Sequence, residues 1–371
     1  MKIAIVFGTR PEIIKLTPVI RYLTKKRIPF ISIHSDQHYT YTMDKIFFED
    51  LNLPQPTYQL SLSRTNALSA SGQIASMMEQ IDKVLTKEKP DWVLTQGDTN
   101  TVLAASLVTN RLSLMFSTSK KKFFLGHVEA GLRSYDRRMP EEFNRIVSDS
   151  LSDKLFVPSD HSRRVLLKEG YPKSRIHLTG NTIVDAVHQN LEIARSKSTI
   201  LSKLQLKPQS YALLTLHRPE NVDNPKHLRQ TLQAVSQACH YHQLNIIFPI
   251  HPRTRGTLER YKISLPTSMQ ICEPLGYLDF LFLESQSTIC LTDSGGVQEE
   301  AMILRVPCVT LRNNTERPET VQCGANKVTG TTRICIQAGI HSMLKKKRHW
   351  KNALGDGQAA KKIIDAILQA Q

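Results

Sequence analysis

Short apolar, β-branched runs recur along this chain, each closed by a glycine-rich or charged corner and followed by a longer stretch with helical spacing. Strands are expected at residues 2–7, 30–34, 91–95, 123–128 and 154–157. Between two of them, Ile74, Met77, Met78, Ile81, Val84 and Leu85 recur at the i, i+3, i+4 interval of one buried helical stripe. Alternation of this kind predicts a parallel sheet covered by helices on both faces. After Gly170-Tyr171-Pro172 the pattern restarts, with strands expected at 175–178, 212–216, 245–250, 269–272, 288–292 and 307–311. The fold class is therefore α/β. Two doubly wound, Rossmann-like domains are expected, 1–170 and 171–355, with an interdomain cleft at the carboxyl ends of their strands. The helical segment 356–371 could pack back on the first domain.

A chain of 371 residues with 40% hydrophobic and 22% charged residues has enough apolar material for two real cores and is not disordered. Its net charge of +16 admits nucleic acid, acidic membrane or small anions as partners. The basic runs Lys25-Lys26-Arg27, Lys120-Lys121-Lys122 and Lys345–Arg348 are short and carry no interleaved aromatics. They read as solvated helix ends or loops, so no nucleic-acid partner is expected. The basic stretch 112–122 has no assigned role. The six cysteines form no C-x-x-C pair; four lie in or beside apolar runs and read as buried free thiols, which suits a cytoplasmic protein. Residues 1–7 are too short for a signal sequence. No apolar run approaches the roughly twenty residues of a membrane span, so membrane insertion is not expected.

The chemistry concentrates at the corners. From Gly126 to Arg145 the carboxylates Glu129, Glu141 and Glu142 stand among several arginines and His127. Glu129 follows an expected strand and Glu141 lies in the first turn of a helix opened by Pro140, so both belong to the carboxyl edge of a sheet. Gly8-Thr9-Arg10-Pro11-Glu12 follows the first strand; Thr9 can cap the next helix, and Arg10 and Lys15 can meet a phosphate at its N-terminus. Neither G-x-G-x-x-G nor G-x-x-x-x-G-K-[ST] occurs there, so neither a nicotinamide dinucleotide nor a P-loop nucleotide is indicated. Asp98, in Gln96-Gly97-Asp98-Thr99, is either a helix cap or a reacting acid at the same edge as Glu129. In the second half, His217-Arg218 and His251-Pro252-Arg253 close two strands. Asp293-Ser294-Gly295-Gly296 closes a third and opens a helix bearing Glu299 and Glu300, both within reach of ribose hydroxyls. A polar loop, 312–319, follows a fourth. His127-x-Glu129 lacks the P-C-x-x-C of a zinc deaminase, and no metal site is read. By themselves these motifs describe a two-domain enzyme for a nucleotide diphosphate compound, using carboxylates as acid and base.

Taken in order, GTRPEIIKL, QGDTNT, GHVEAGLRS, MPEEFNR, GNTIVDAV, HRPENVD, PIHPRT, LTDSGGVQEEA and TERPET resemble the non-hydrolysing UDP-N-acetylglucosamine 2-epimerases over essentially the whole chain. The resemblance implies a glycosyltransferase-B-like fold, a homodimer, no NAD or other cofactor, no required metal, and interconversion of UDP-GlcNAc and UDP-ManNAc through 2-acetamidoglucal. It implies Asp98, Glu129 and Glu141 as acid/base residues; Arg145, four residues after Glu141 on the same helix face, is expected to orient that carboxylate. Arg10, Lys15 and His217 would hold the leaving diphosphate; Ser294, Gly295, Gly296 and Glu300 would hold phosphate and ribose, with Phe280 against uracil. Grouped carboxylates should raise one another's pKa and keep one protonated. Gln37, His38, Arg218 and His251 match an activator site of some bacterial members, although Tyr39-Thr40-Tyr41 depart from the bacterial Q-H-R-x-M pattern. Competing readings are a 2-epimerase of a diacetamido uronic acid or deoxy-hexosamine, a UDP-sugar glycosyltransferase, and a hydrolysing epimerase. The last typically reads G-T-R-A-D-Y-G where Arg10-Pro11-Glu12 stands here.

Overall fold

The computed structural model describes residues 1–36, 47–61, 69–116 and 123–370. The chain forms two compact units, one of Met1–Ala186 with Leu354–Gln371 and one of Val187–Ala353. The first holds a seven-stranded parallel sheet, built from β1 (Ile3–Phe7), β2 (Phe30–His34), β3 (Tyr58–Gln59), β4 (Trp92–Gln96), β5 (Phe124–Val128), β6 (Lys154–Val157) and β7 (Ile176–Leu178). Its order is β3-β2-β1-β4-β5-β6-β7, so the chain reverses direction across the sheet between β1 and β4. β1 is fully buried along its length, the expected state of a strand covered by helices on both faces. In the helix Ala70–Glu88, Met77, Ile81, Val84 and Leu85 are buried, while Ile74 and Met78 pack half-buried against the same core. Ser69 caps this helix by accepting the Gly72 N–H at 3.0 Å.

The second unit holds β8 (Tyr211–Thr215), β9 (Asn245–Pro249), β10 (Met269–Cys272), β11 (Ile289–Thr292), β12 (Cys308–Thr310) and β13 (Asn326–Val328). This sheet is also parallel, in the order β10-β9-β8-β11-β12-β13, and it reverses between β8 and β11. In each unit a crevice therefore opens beyond the carboxyl ends of the two strands that flank the reversal, the usual ligand position in such sheets.

Residues 175–178, expected to open the second domain, instead close the first sheet as β7, so the boundary is not at residue 170. β7 pairs with β6, and His177 both faces the Phe156 ring and meets Lys154 Nζ at 2.9 Å. The division falls later, inside the helix Thr182–Lys197. The helix Ala359–Leu368 belongs to the first unit. Asp185 accepts the Ala359 and Ala360 N–H groups at 3.2 and 3.0 Å, and Ile363, Ile364 and Ile367 are buried. Of the six free thiols, Cys239, Cys290 and Cys308 are buried, Cys272 and Cys323 half-buried, and Cys335 exposed. No helix among the described residues is long and apolar enough to cross a membrane.

Candidate active site

In the first unit the corners after β1, β4 and β5 meet around carboxylates. The helix Arg10–Lys26 begins directly after β1, with Pro11 in its first turn. Glu12 is buried there, accepting the Gly8 N–H at 2.9 Å, the Thr9 hydroxyl at 2.8 Å and the Thr99 hydroxyl at 2.7 Å. Thr9 thus binds Glu12 and does not cap the helix through its side chain. Arg10 lays its guanidinium carbon 5.7 Å from the Phe47 ring centre. One turn further in, Lys15 Nζ lies 2.7 Å from each carboxylate oxygen of Glu129, which also accepts the Gln96 amide. Glu129 is 6% exposed and sits at φ +70, a left-handed conformation that side chains other than glycine adopt at a cost.

Asp98 follows β4, and its carboxylate is not the helix cap. Thr99 takes that part, its Oγ1 accepting the Val102 N–H at 3.4 Å. The Asp98 Oδ2 accepts Arg145 Nε at 2.8 Å and Nη2 at 2.6 Å, while Arg145 Nη1 reaches Glu142 Oε2 at 2.7 Å. The Asn144 amide donates to the Asp98 carbonyl at 2.9 Å. Arg145 therefore orients Asp98 and Glu142, not Glu141 as expected. An exposed i,i+4 pair is worth only about 0.2–0.5 kcal/mol, whereas one planar guanidinium joining two carboxylates makes several charge-assisted bonds. Glu142 is buried, which works against its charge, but Ser134, Tyr135 and Arg145 all donate to it and hold its pKa below the ordinary range. Glu141, its neighbour on the helix Pro140–Leu151, is exposed. Glu129 is thus paired with Lys15, while Asp98 and Glu142 share Arg145.

In the second unit Asp293, fully buried after β11, organises the corner after β8. It accepts the backbone N–H groups of His217 and Arg218 and the Asn221 amide, and pairs with His217 Nδ1 at 2.9 Å. Burial raises its pKa, but these donors outweigh burial and leave it a carboxylate. With Nδ1 engaged, His217 has Nε2 as its remaining polar atom. Ser294 precedes the helix Gly295–Ile303, whose first residues are Gly295 and Gly296. Adding a Cβ at either glycine meets nothing closer than 3.8 Å, so the first turn of this helix is not crowded by other side chains, while the Ser294 N–H is taken by the Thr292 hydroxyl at 2.9 Å. Glu299 is paired with Arg317 Nε at 2.9 Å. Glu300 is buried, and burial together with the Glu300 charge raises the pKa of its neighbours Tyr277 and Glu284. Phe280 packs half-buried against the cluster containing Tyr211, Leu283 and Cys290.

A family model described as UDP-N-acetylglucosamine 2-epimerase matches residues 22–368. The chain belongs to this family. It is 47% identical over 370 residues to the UDP-N-acetylglucosamine 2-epimerase of Methanocaldococcus jannaschii, covering 98% of each chain. The crystal structure of a Methanocaldococcus jannaschii UDP-GlcNAc 2-epimerase in complex with UDP-GlcNAc and UDP matches the whole chain with a TM-score of 0.84 at 47% identity, and is itself covered completely. The chain is also 37% identical to the UDP-2,3-diacetamido-2,3-dideoxy-D-glucuronate 2-epimerase of Pseudomonas aeruginosa, with 99% of each chain covered. The expected pair of Rossmann-like sheets is the fold of this epimerase family.

Three residues inside the motifs carry contacts at these corners without a role assigned from the sequence: Gln96, Glu142 and Asp293. Each is a polar residue at the carboxyl end of a strand or in the first turn of a helix, the signal that singled out their neighbours. Of the activator candidates, Gln37 and His38 lie outside the described residues. Arg218 Nη2 lies 4.0 Å from Glu316, and His251 caps the helix Pro252–Arg260 by accepting the Arg253 N–H at 3.2 Å. Among the described residues, no group of three or more His, Cys, Asp or Glu side chains is placed to hold a metal ion.

Proposed function

We propose that this protein interconverts UDP-N-acetylglucosamine and UDP-N-acetylmannosamine by breaking and remaking the C1–O bond to UDP. The observation that carries the reading is near-complete coverage, at 47% identity, of an epimerase whose crystal contains UDP-GlcNAc and UDP. A C2 proton on an N-acetyl sugar is not adjacent to a carbonyl carbon, so direct removal and return is prohibitively slow. Elimination solves this. A carboxylate takes the C2 proton while the C1–O electron pair leaves with UDP, giving 2-acetamidoglucal. A UDP oxygen then adds to C1, and a second acid protonates C2 from the opposite face. No net oxidation occurs.

The charge pattern of each unit supports a role in this sequence. In the second unit His217, held through Nδ1 by Asp293, and the N-terminus of the helix Gly295–Ile303 suit a departing diphosphate. Glu300 suits a ribose and Phe280 a uracil ring. In the first unit Asp98, Glu129 and Glu141 suit the sugar. Lys15, paired with Glu129, and Arg10 near the N-terminus of the first helix suit an anionic group of the substrate. Arg145 fixes the Asp98 carboxylate in direction.

The homodimer expected from the resemblance is supported by exposed Leu114, Met115, Phe143 and Ile146, carried by two helices of the first unit. The six free thiols support a cytoplasmic setting. The identity to the diacetamido-glucuronate epimerase favours a second reading, in which the same chemistry acts on a more substituted UDP-sugar. Incubation with UDP-GlcNAc, followed by proton NMR, tests the proposal. Accumulation of UDP-ManNAc to a fixed ratio supports it. Free ManNAc, transfer of GlcNAc to an acceptor, or turnover only of a diacetamido sugar would replace it.

A further inference from the structure

His127 lies on β5 two residues before Glu129 and is completely buried. Its two ring nitrogens both face oxygen. Nδ1 is 2.7 Å from Asp149 Oδ1, and Nε2 is 2.7 Å from the Gly97 carbonyl oxygen. A backbone carbonyl can only accept, so Nε2 must carry a proton. Asp149 is also an acceptor: its other oxygen receives Arg133 Nη1 at 2.7 Å and the Gly131 N–H at 3.2 Å, and the Arg133 guanidinium favours the ionised carboxylate over the neutral acid. Nδ1 must then carry a proton as well. Beside an ionised Asp149, a neutral ring would direct a lone pair at a carboxylate oxygen 2.7 Å away.

We propose that His127 is a permanently protonated imidazolium and a positioning residue that fixes the Gly97–Asp98 turn of the active site. Gly97 has φ +83, and its peptide is tied to β5 from both sides: its N–H donates to the Val128 carbonyl at 3.1 Å and its carbonyl receives His127. Asn144 holds the next carbonyl and Arg145 the Asp98 carboxylate. The Asp98 side chain thus leaves a turn that cannot rotate unless the imidazolium lets go. The charge is balanced locally by Asp149, with Arg133 and Glu169 completing two opposite pairs and Glu129 lying at the end of the same strand. Burial alone would depress the imidazole pKa; Asp149, then the Gly97 carbonyl and Glu129, hold it above its ordinary value.

The positioning role rests on Asp98 being a reacting group, whereas the protonation state does not, and the test separates the two. Nitrogen-15 NMR of the unaltered, histidine-labelled protein, with the His127 resonances assigned by their loss in His127→Gln, should show both ring nitrogens protonated from about pH 6 to about pH 9. A single protonated nitrogen, or a midpoint near the ordinary value of about 6.5, overturns the proposal whether or not the variant folds. In His127→Gln the amides of residues 97–99 should exchange with solvent at least about tenfold faster, and kcat should fall at least about tenfold with KM nearly unchanged. Unchanged exchange, or unchanged kcat, overturns the positioning role. Should the unaltered protein epimerise no UDP-sugar while the ring is doubly protonated and the turn loosens in the variant, the functional reading fails and this one stands.

Discussion

Lys15 Nζ is equidistant from the two carboxylate oxygens of Glu129, at 2.7 Å from each, and the pair is nearly buried. Such a pair contributes little against a well-packed apolar replacement, but removing one member leaves an uncompensated buried charge. Lys15→Ala should therefore lower stability by about 3–5 kcal/mol, and Lys15→Ala with Glu129→Gln by clearly less than the sum of the single changes. Urea unfolding of the four proteins measures this. Additive single effects, or a Lys15→Ala loss below about 1 kcal/mol, would show that the contact carries no coupling.

Glu141 and Glu142 are adjacent in sequence and opposite in kind. Glu142 accepts four donors and is buried, so Glu142→Gln should cost about 1–3 kcal/mol of stability by leaving those donors poorly met. Glu141 is exposed, and Glu141→Gln should leave stability within about 0.5 kcal/mol while lowering kcat at least about tenfold. Thermal melts together with epimerase assays check both. Loss of activity without loss of stability in Glu142→Gln, or full activity in Glu141→Gln, would exchange their roles.

Arg145 joins Asp98 to Glu142 through a planar fork that lysine cannot reproduce. Arg145→Lys should lower kcat by about ten- to a hundredfold, or about 1.4–2.7 kcal/mol of barrier, with KM changed far less. Steady-state kinetics decide this, and wild-type kcat in the lysine variant would mean that charge alone suffices.

Burial pushes Glu12 up to about 7, against the pull of donors from Thr99, Gly8 and Thr9. The folded state thus holds this proton more tightly than the unfolded chain, whose carboxyl titrates near 4.5. Glu12's contribution is complete below pH 4.5 and is lost as pH rises toward 7, at up to about 1.4 kcal/mol per pH unit. Glu12→Gln cannot titrate, so the stability difference between the two proteins should change across that window and flatten above it. Parallel stability curves from pH 4 to 8 would contradict the assignment.

Among the thiols, burial pushes Cys239 up to about 12 and raises Cys290 and Cys308 as well, whereas Cys335 is exposed. Iodoacetamide should label Cys335 first and leave those three intact until the protein unfolds. Peptide mass spectrometry reads the order, and early labelling of Cys308 would show that the second sheet opens readily.

The interior strands were legible because a strand covered on both faces is apolar along most of its length, as Ile3–Phe7 and Ile289–Thr292 are. Edge strands lack that constraint. Tyr58–Gln59 and Asn326–Val328 carry polar residues and were not read from the sequence, and 175–178 was read as a strand of the wrong sheet. Which sheet an edge strand joins depends on contacts such as His177 with Phe156, which no local pattern contains. The same limit applies to the site. Strand-end position singled out Asp98, Glu129 and His217. The choice of partner by Arg145 was hidden, because Asp98 reaches it from a strand more than forty residues away in sequence, at |i−j| = 47.

The central claim is that the C2–H bond of a UDP-2-acetamido sugar breaks and re-forms on this protein, and isotope exchange in deuterated water tests it most directly. UDP-GlcNAc incubated with the protein should acquire one deuterium at C2, in the recovered UDP-GlcNAc and in the UDP-ManNAc formed, with the C2 proton signal disappearing at the rate of equilibration. UDP-ManNAc that retains its original C2 hydrogen, or UDP-GlcNAc recovered with no exchange and no epimer, would contradict the account.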